Sequence, residues 1–359
     1  MKAADFDYAR FEDWAAGRER VTRDFLSGKT RGVCLQEPVW MPGKSYTTCR
    51  TPQESLEVQL DVIDAQMRMN SSYVPYLEPW FGTGIYANAF GAEILWNEGQ
   101  SSATHYVFFD ESDAGKMGEP DFDATLPRLV MEGIDYFLEE TGGRLPISCT
   151  DTQSAFDTAS LLWDSASFFE CMVLEPDCVH QVLDKVNRAI ISFSQMQIDR
   201  IGGALARPGH IMRSARGGAG FSISDDNIVM ISGEHYSGFS AHYNKQLAAQ
   251  FGGLAVHSCG NFEGQLDALA STPGIMLIDG AFSPIMDPTP NRNHEYFRDR
   301  LKGTGIILQA RMNVDWPEIL PRLYDPELRL IASIPGPGPD EPADINLWRA
   351  SELGIPVIG

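Results

Sequence analysis

The 359-residue sequence is short of basic residues, with 28 lysines and arginines against 49 aspartates and glutamates, a formal net charge of −21. Nucleic acid and anionic membrane surfaces are recognised through a basic footprint, so both are excluded as partners. A small anionic ligand is not excluded, because a few local cations suffice to hold one. Long apolar runs are absent as well, and no stretch approaches the roughly 18 residues that a membrane span needs. The opening "MKAADFDYARFEDWAAGRER" is charged and mixed, unlike a secretory signal, and the expectation is a cytoplasmic protein. Six cysteines (Cys34, Cys49, Cys149, Cys171, Cys178, Cys259) are scattered without a C-x-x-C pair, which excludes a disulfide framework. There is no G-x-S-x-G nucleophile elbow, and "GGAG" at 217–220 lacks the spacing of a dinucleotide or phosphate loop.

What the sequence does contain is an alternation of short apolar runs with amphipathic stretches. Candidate strands are 33–36, 73–77, 145–149, 210–213, 254–257, 275–279, 305–309 and 329–333. Helix-like segments cover 51–69, 121–141, 176–201, 234–251, 262–270, 291–302, 317–324 and 343–353. Pro176 opens one helix, Asp315 is an N-cap candidate before Pro317, and Gly354 stands where a C-terminal cap belongs. Eight strands each followed by a helix fit an α/β fold of the (β/α)8 TIM-barrel type better than an open doubly wound sheet. The expectation is one domain over 1–359, with an N-terminal helical extension and an insertion near the barrel mouth within 78–144.

In a barrel the active site lies at the C-terminal ends of the strands. There the stretch "GLAVHSCGN", residues 253–261, ends an apolar run in His257 and Cys259. Residues two apart project from the same face of a strand, and imidazole and thiolate are the commonest zinc ligands. A catalytic zinc takes three protein ligands, so a further donor is required. Glu234 in "ISGEHYSGF" is the first choice, and Asp225 or Asp226 in "SISDDNI" the second. Asp151, Gln153, Ser214 and Asp279 lie at or just beyond strand ends and are read as substrate-orienting, with Asp151 and Asp279 as the catalytic carboxylates. Tyr76 and Trp80 are read as an apolar wall of the pocket.

The blocks "HSCGN", "ISGEHYSGFSAHYNKQL", "LQARMNVD", "PGPGPDEPADINLWRA" and "SAFDTASLLWDSASFFECMVLEPDCVHQVLDKV" resemble the uroporphyrinogen decarboxylase superfamily. The resemblance covers most of the chain from about residue 145 and, more loosely, "NSSYVPYLEPWFGTGIYANAFGAE" before it. It implies a single TIM-barrel domain. The arginine-rich substrate loop of the decarboxylases is replaced here by "EPVWMPGKSYTTCR", which has only Lys44 and Arg50 as cations. The resemblance therefore points to the cobalamin-linked methyltransferase-like branch, which implies zinc, cobalamin on a partner corrinoid protein, and a small-molecule methyl donor or acceptor. That branch carries a third zinc-binding cysteine in a "PGCG"-like turn. This chain reads "PGPG", with Pro337 at that place and no cysteine after Cys259, which implies a recruited carboxylate ligand, a weaker site or a lost metal. Two alternatives stand beside this reading: a metal-free decarboxylase or lyase acting on a small carboxylated substrate, and a non-catalytic partner of a corrinoid protein.

Overall fold

The computed structural model describes residues 1–39, 41, 43–338 and 341–358, so the last proline of the 335–339 turn lies outside the described residues. Seven strands form one parallel sheet: β1 (Val33–Gln36), β2 (Phe221–Ser224), β3 (Leu254–His257), β4 (Ile275–Ala281), β5 (Ile307–Arg311), β6 (Arg329–Ser333) and β7 (Val357–Ile358). Their order is β7-β1-β6-β5-β4-β3-β2. A sheet buried on both faces needs nearly continuous apolar strands, and β1 to β6 are buried along almost their whole length.

Five of the eight expected strand positions are occupied by ladders; the other three differ in instructive ways. The segments 73–77 and 145–149 shrink to an isolated parallel bridge, Leu77↔Ile147, and Ile147 also bridges Leu205. Pro75, Pro79 and Pro146 supply no N–H to extend a ladder, so pairing survives only where a donor exists. The Leu77 amide donates to the Pro146 carbonyl at 2.8 Å and the Ser148 amide to the Leu77 carbonyl at 2.9 Å. No strand forms over 210–213. That stretch is the loop joining two short antiparallel strands, Ala206–Arg207 and Ala215–Arg216, turned back by a bond from the Met212 amide to the Gly209 carbonyl. The strand of this region is β2, directly after Gly220. Among the described residues the sheet is not closed: its ladder ends at β2 and at β7.

The parallel registers line up one polar rung across four neighbouring strands. Ser224 pairs with His257, His257 with Asp279, and Asp279 with Gln309. The residues just before them, Ile223, Val256, Ile278 and Leu308, belong to the apolar cluster shared with the helices. On the other face Cys34, Ala255, Leu277, Ile307 and Ile331 form a second cluster with Phe25 and Leu26. The last two end the N-terminal helix Tyr8–Leu26, which Asp7 caps by accepting from the Arg10 amide at 3.0 Å. The helical extension thus covers this face of the sheet, and each fully buried side chain of this size contributes about 1.5–3 kcal/mol.

Several helix boundaries follow the sequence signals. Pro52 and Pro176 open the helices Pro52–Arg68 and Pro176–Ile201, and Gly354 takes a left-handed φ of 70° just past Ile345–Glu352. Asp315 precedes Trp316–Leu323 but does not cap it; its carboxylate accepts from the Asn313 amide and the Ser283 hydroxyl instead. The expected helix 234–251 is two, Gly233–Phe239 and Ala241–Phe251, broken at Ser240. Ser240 gives its hydroxyl to the buried Asp225 at 2.6 Å. No helix among the described residues is long and apolar enough to cross a membrane.

Gly280 in β4 has a consequence for stability. A Cβ there would meet the Phe262 ring at 2.7 and 2.8 Å and the Asn291 amide at 2.9 Å. Both side chains are fully buried. Gly280→Ala is expected to cost about 1–3 kcal/mol by overpacking, read as a lower urea midpoint with an unchanged slope.

Candidate metal centre

The β2–β3 register sets Ser224 beside His257, so the residues that follow both strand ends fall side by side. Three of them converge: a carboxylate oxygen of Asp226, an imidazole nitrogen of His257 and the Cys259 sulfur all lie within 4.8 Å of one another. His257 Nε2 stands 3.4 Å from Cys259 Sγ and 3.6 Å from Asp226 Oδ1. Tetrahedral zinc with Zn–N and Zn–O near 2.0 Å and Zn–S near 2.3 Å places N and S about 3.5 Å apart, and N and O about 3.3 Å apart. The donors fit that ion in type and spacing. His257 is buried while Cys259 is exposed, so the set opens on one side, as a catalytic site requires.

The ligand-type atom that stands beside His257 and Cys259 belongs to Asp226 and not to Glu234. Glu234 is exposed in the first turn of Gly233–Phe239, where a carboxylate complements the helix dipole. Asp225, the other carboxylate of that pair, is fully buried and turns away; its oxygens accept from Ser154 at 2.7 Å, Ser240 at 2.6 Å and Asn244 at 3.0 Å. Asp157 accepts the Asp226 and Asn227 amides at 2.6 and 2.8 Å and so fixes the backbone that presents Asp226. Burial and the neighbouring carboxylates push Asp157 well above the usual carboxylate range, and burial pushes Asp225 up.

Behind the donors lies a second layer. Asp279, with no exposed surface, accepts from His257 Nδ1 at 2.6 Å and Arg311 Nε at 2.9 Å through Oδ1, and from Gln309 Nε2 at 2.9 Å through Oδ2. This is the carboxylate–histidine arrangement that turns Nε2 toward a metal and strengthens the imidazole as a ligand. Asp279 therefore orients His257 and does not itself meet a substrate. Burial favours its neutral form, yet Arg311 and His257 together hold it below the usual value. For His257, burial and the Arg311 charge push downward, but the bonds to Asp279 and Cys259 and the Asp279 charge outweigh them and hold it at about 10.

The remaining expected residues gather around a histidine that the sequence did not single out. His210 Nδ1 lies 2.6 Å from Glu78 Oε1, and His210 Nε2 lies 3.6 Å from Asp151 Oδ1. Asp151 also accepts from Trp80 Nε1 at 3.1 Å, Gln153 Nε2 at 3.0 Å and Ser224 Oγ at 2.8 Å. Trp80 is thus a polar partner as well as a wall. Tyr76 and Ser214 brace the His210 loop: the Tyr76 hydroxyl donates to the Gly209 carbonyl at 2.7 Å, and Ser214 Oγ accepts the Gly209 amide at 3.0 Å. Ile211 in that loop holds φ at 61°, a strained value for a β-branched residue. Its carbonyl accepts from Gln309 Nε2 at 2.9 Å, so one amide joins the His210 loop to Asp279. Burial works against a charged His210, but Asp151 and Glu78 raise it to about 9.

A cavity of about 810 Å³ is lined by Met69, Met286, Met312, Ile334, Pro335 and Pro337 among others. Pro337 of the "PGPG" turn is part of this lining. The Asp287 carboxylate accepts the Gly260 amide at 2.8 Å and joins this wall to the Cys259 turn.

The two raised histidines predict a pH dependence for the metal-free protein. A group whose folded value exceeds its ordinary 6.5 stabilises fully below 6.5, and that stabilisation is lost as pH rises through about 9 for His210 and about 10 for His257. Stability in urea is expected to fall between pH 6.5 and 10, and His210→Asn is expected to flatten the lower part of the slope.

Comparison with known proteins agrees with the family likeness of the motifs. Residues 43–207 match the family model Uroporphyrinogen decarboxylase (URO-D). A solved methyltransferase from Methanosarcina mazei shares the fold with a TM-score of 0.63 at 15% sequence identity, covering 94% of this chain and 97% of that one. No curated protein matches by sequence. The matched span holds Glu78 and Asp151 and ends before His210, Asp226, His257 and Cys259.

Proposed function

We propose that the chain is a zinc-dependent methyltransferase of the uroporphyrinogen decarboxylase superfamily, moving a methyl group in a corrinoid-linked demethylation or methyl-transfer pathway. We read its parallel sheet as a single-domain (β/α)8 barrel whose second and third staves are reduced to the proline-interrupted bridges at Leu77 and Ile147. The observation that carries the reading is the convergence of Asp226, His257 and Cys259 on one point, with Asp279 behind the imidazole.

A bound zinc would supply Lewis acidity toward a heteroatom of the methyl-bearing or methyl-accepting molecule. His257, Cys259 and Asp226 would hold it, and one carboxylate in place of a second thiolate makes a harder centre that favours oxygen or nitrogen ligands over thiols. Asp279 fixes the imidazole's orientation, and Arg311 offsets the carboxylate's buried charge. The cavity lined by Met69, Met286 and Met312 would take up apolar bulk of a substrate. Cobalamin would arrive on a partner protein.

A metal-free reading has one specific observation in its favour. Cys259 Sγ, His257 and Asp279 also line up as a thiol, a base and an orienting carboxylate, with gaps of 3.4 and 2.6 Å. The lyase version, with Asp151 and Asp279 moving protons, fits less well because Asp279 has no exposed surface. Chelation separates the readings. Activity with methyl donors and reduced cobalamin should vanish with a strong zinc chelator and return with zinc; activity that survives metal removal would support the thiol nucleophile.

A further inference from the structure

We propose that the chain carries a second ligand site, for a small aliphatic amino acid bound as a zwitterion, its ammonium on Glu37 and its carboxylate on Arg20. The site does not depend on the methyl-transfer reading.

A cavity of about 420 Å³ lies between the N-terminal helix Tyr8–Leu26, the segment just past β1 and the C-terminal helix Ile345–Glu352, a size usual for small-molecule pockets. Its lining shares no residue with the metal donors or with the His210 group. The buried member of that lining is Glu37, only 5% exposed. Asn346 Nδ2 donates to Glu37 Oε1 at 2.8 Å, but the carboxylate forms no ion pair among the described residues. The buried Arg213 spends its N–H groups elsewhere, on Thr22 Oγ1 and on the carbonyls of Leu35 and Ser72. Burial raises Glu37 above its ordinary value, and the Asn346 bond, the Arg213 charge and the Ser72 amide only partly offset it. A buried carboxylate is costly unless a cation bonds to it, and a ligand's ammonium meets that need.

The other charges of the lining specify the rest of the ligand. Arg18 is fixed as a positive wall, giving Nε to the Ser71 carbonyl at 2.7 Å, Nη1 to the Trp14 carbonyl at 2.8 Å and Nη2 to Asn70 Oδ1 at 2.8 Å. Arg20, one turn apart from no other cation but Arg18, is exposed and has no polar partner among the described residues. Asp344 adds a second carboxylate, which makes no cap bond to the helix it precedes. Two carboxylates and two guanidiniums repel a simple anion and a simple cation alike, whereas a zwitterion is met by both signs. Gly17 widens the same wall. It sits mid-helix, where glycine costs about 0.5–1 kcal/mol relative to alanine, and a Cβ there would meet nothing within 4 Å. Packing does not require this glycine; room in the cavity does.

The test is calorimetric titration of the full-length protein with glycine, β-alanine, γ-aminobutyrate and δ-aminovalerate, with n-butylamine and butyrate as single-charge controls. At least one amino acid is expected to bind with a Kd of about 1 mM or tighter, and both controls about 10-fold or more weaker. Glu37→Gln, which keeps the shape and the oxygen for Asn346, should weaken binding about 30-fold, and Arg20→Gln about 5-fold. Gly17→Leu should weaken it about 10-fold or more by filling the space. Arg20 and Gly17 are exposed, so these two variants decide the matter if Glu37→Gln does not fold. No binding by any amino acid of the series, a control that binds as tightly as the best of them, or unchanged affinity in the folded variants would overturn the inference.

Discussion

Asp279→Ala is expected to destabilise the protein by about 3–5 kcal/mol, because it strands the buried Arg311 charge, and to weaken zinc binding by about 10–100-fold through the loss of the imidazole's orienting partner. Asp279 receives His257, Arg311 and Gln309 on two oxygens and has no exposed surface, so water cannot take its place. Asp279→Asn separates the two effects. It keeps the shape and one acceptor, so much of the stability should remain, while His257 loses its charged partner and zinc affinity still falls. Urea denaturation and zinc competition with a chromogenic chelator read the two quantities independently. Equal zinc affinity in wild type and both variants would mean that His257 needs no orientation to act.

The second large effect is on metal content alone. Cys259 is exposed and contributes little to the core, so Cys259→Ala should leave the stability of the metal-free protein within about 0.5 kcal/mol of wild type, read in urea. Bound zinc should drop from about one per chain to a small fraction, since two remaining donors do not make a tight site. Asp226→Asn should behave similarly but less severely, because the carboxamide keeps an oxygen for the Cys259 amide that now donates to Asp226 at 2.6 Å. Glu234→Gln, on the exposed helix, should change neither quantity.

The half of this centre that lies on one strand end was legible in the sequence. Leu254–His257 is apolar up to its last residue, and a histidine and a cysteine two apart at that boundary converge whatever the rest of the fold does. The third donor was not legible, because it depends on which strand lies next to β3. The short "FSIS" strand stands behind a glycine-rich stretch, where "HIMR" at 210–213 reads as the better strand, and without β2 nothing places Asp226 beside Cys259. Once β2 is recognised, the signal is simple: parallel neighbours in register set Ser224 against His257, and the residues two beyond each strand end become neighbours. Glu234 was attractive only for its closeness in sequence.

The His210 group was hidden for a different reason. Glu78, Asp151 and His210 come from three segments whose pairing is down to isolated bridges or a loop, and His210 and Glu78 are 132 positions apart. Prolines at 75, 79 and 146 erase the strand periodicity there, so neither the staves nor the way they aim their side chains shows in hydrophobic alternation. Asp151, Gln153 and Trp80 are visible in the sequence only because they stand near the ends of those interrupted segments. Their partner needed the tertiary structure.

Zinc X-ray absorption on the purified protein tests the central claim most directly. The account predicts one zinc per chain with a single sulfur near 2.3 Å and nitrogen and oxygen neighbours near 2.0 Å, the sulfur shell disappearing in Cys259→Ala. Zinc retained by that variant with an unchanged spectrum, or a wild-type shell without sulfur, would contradict it.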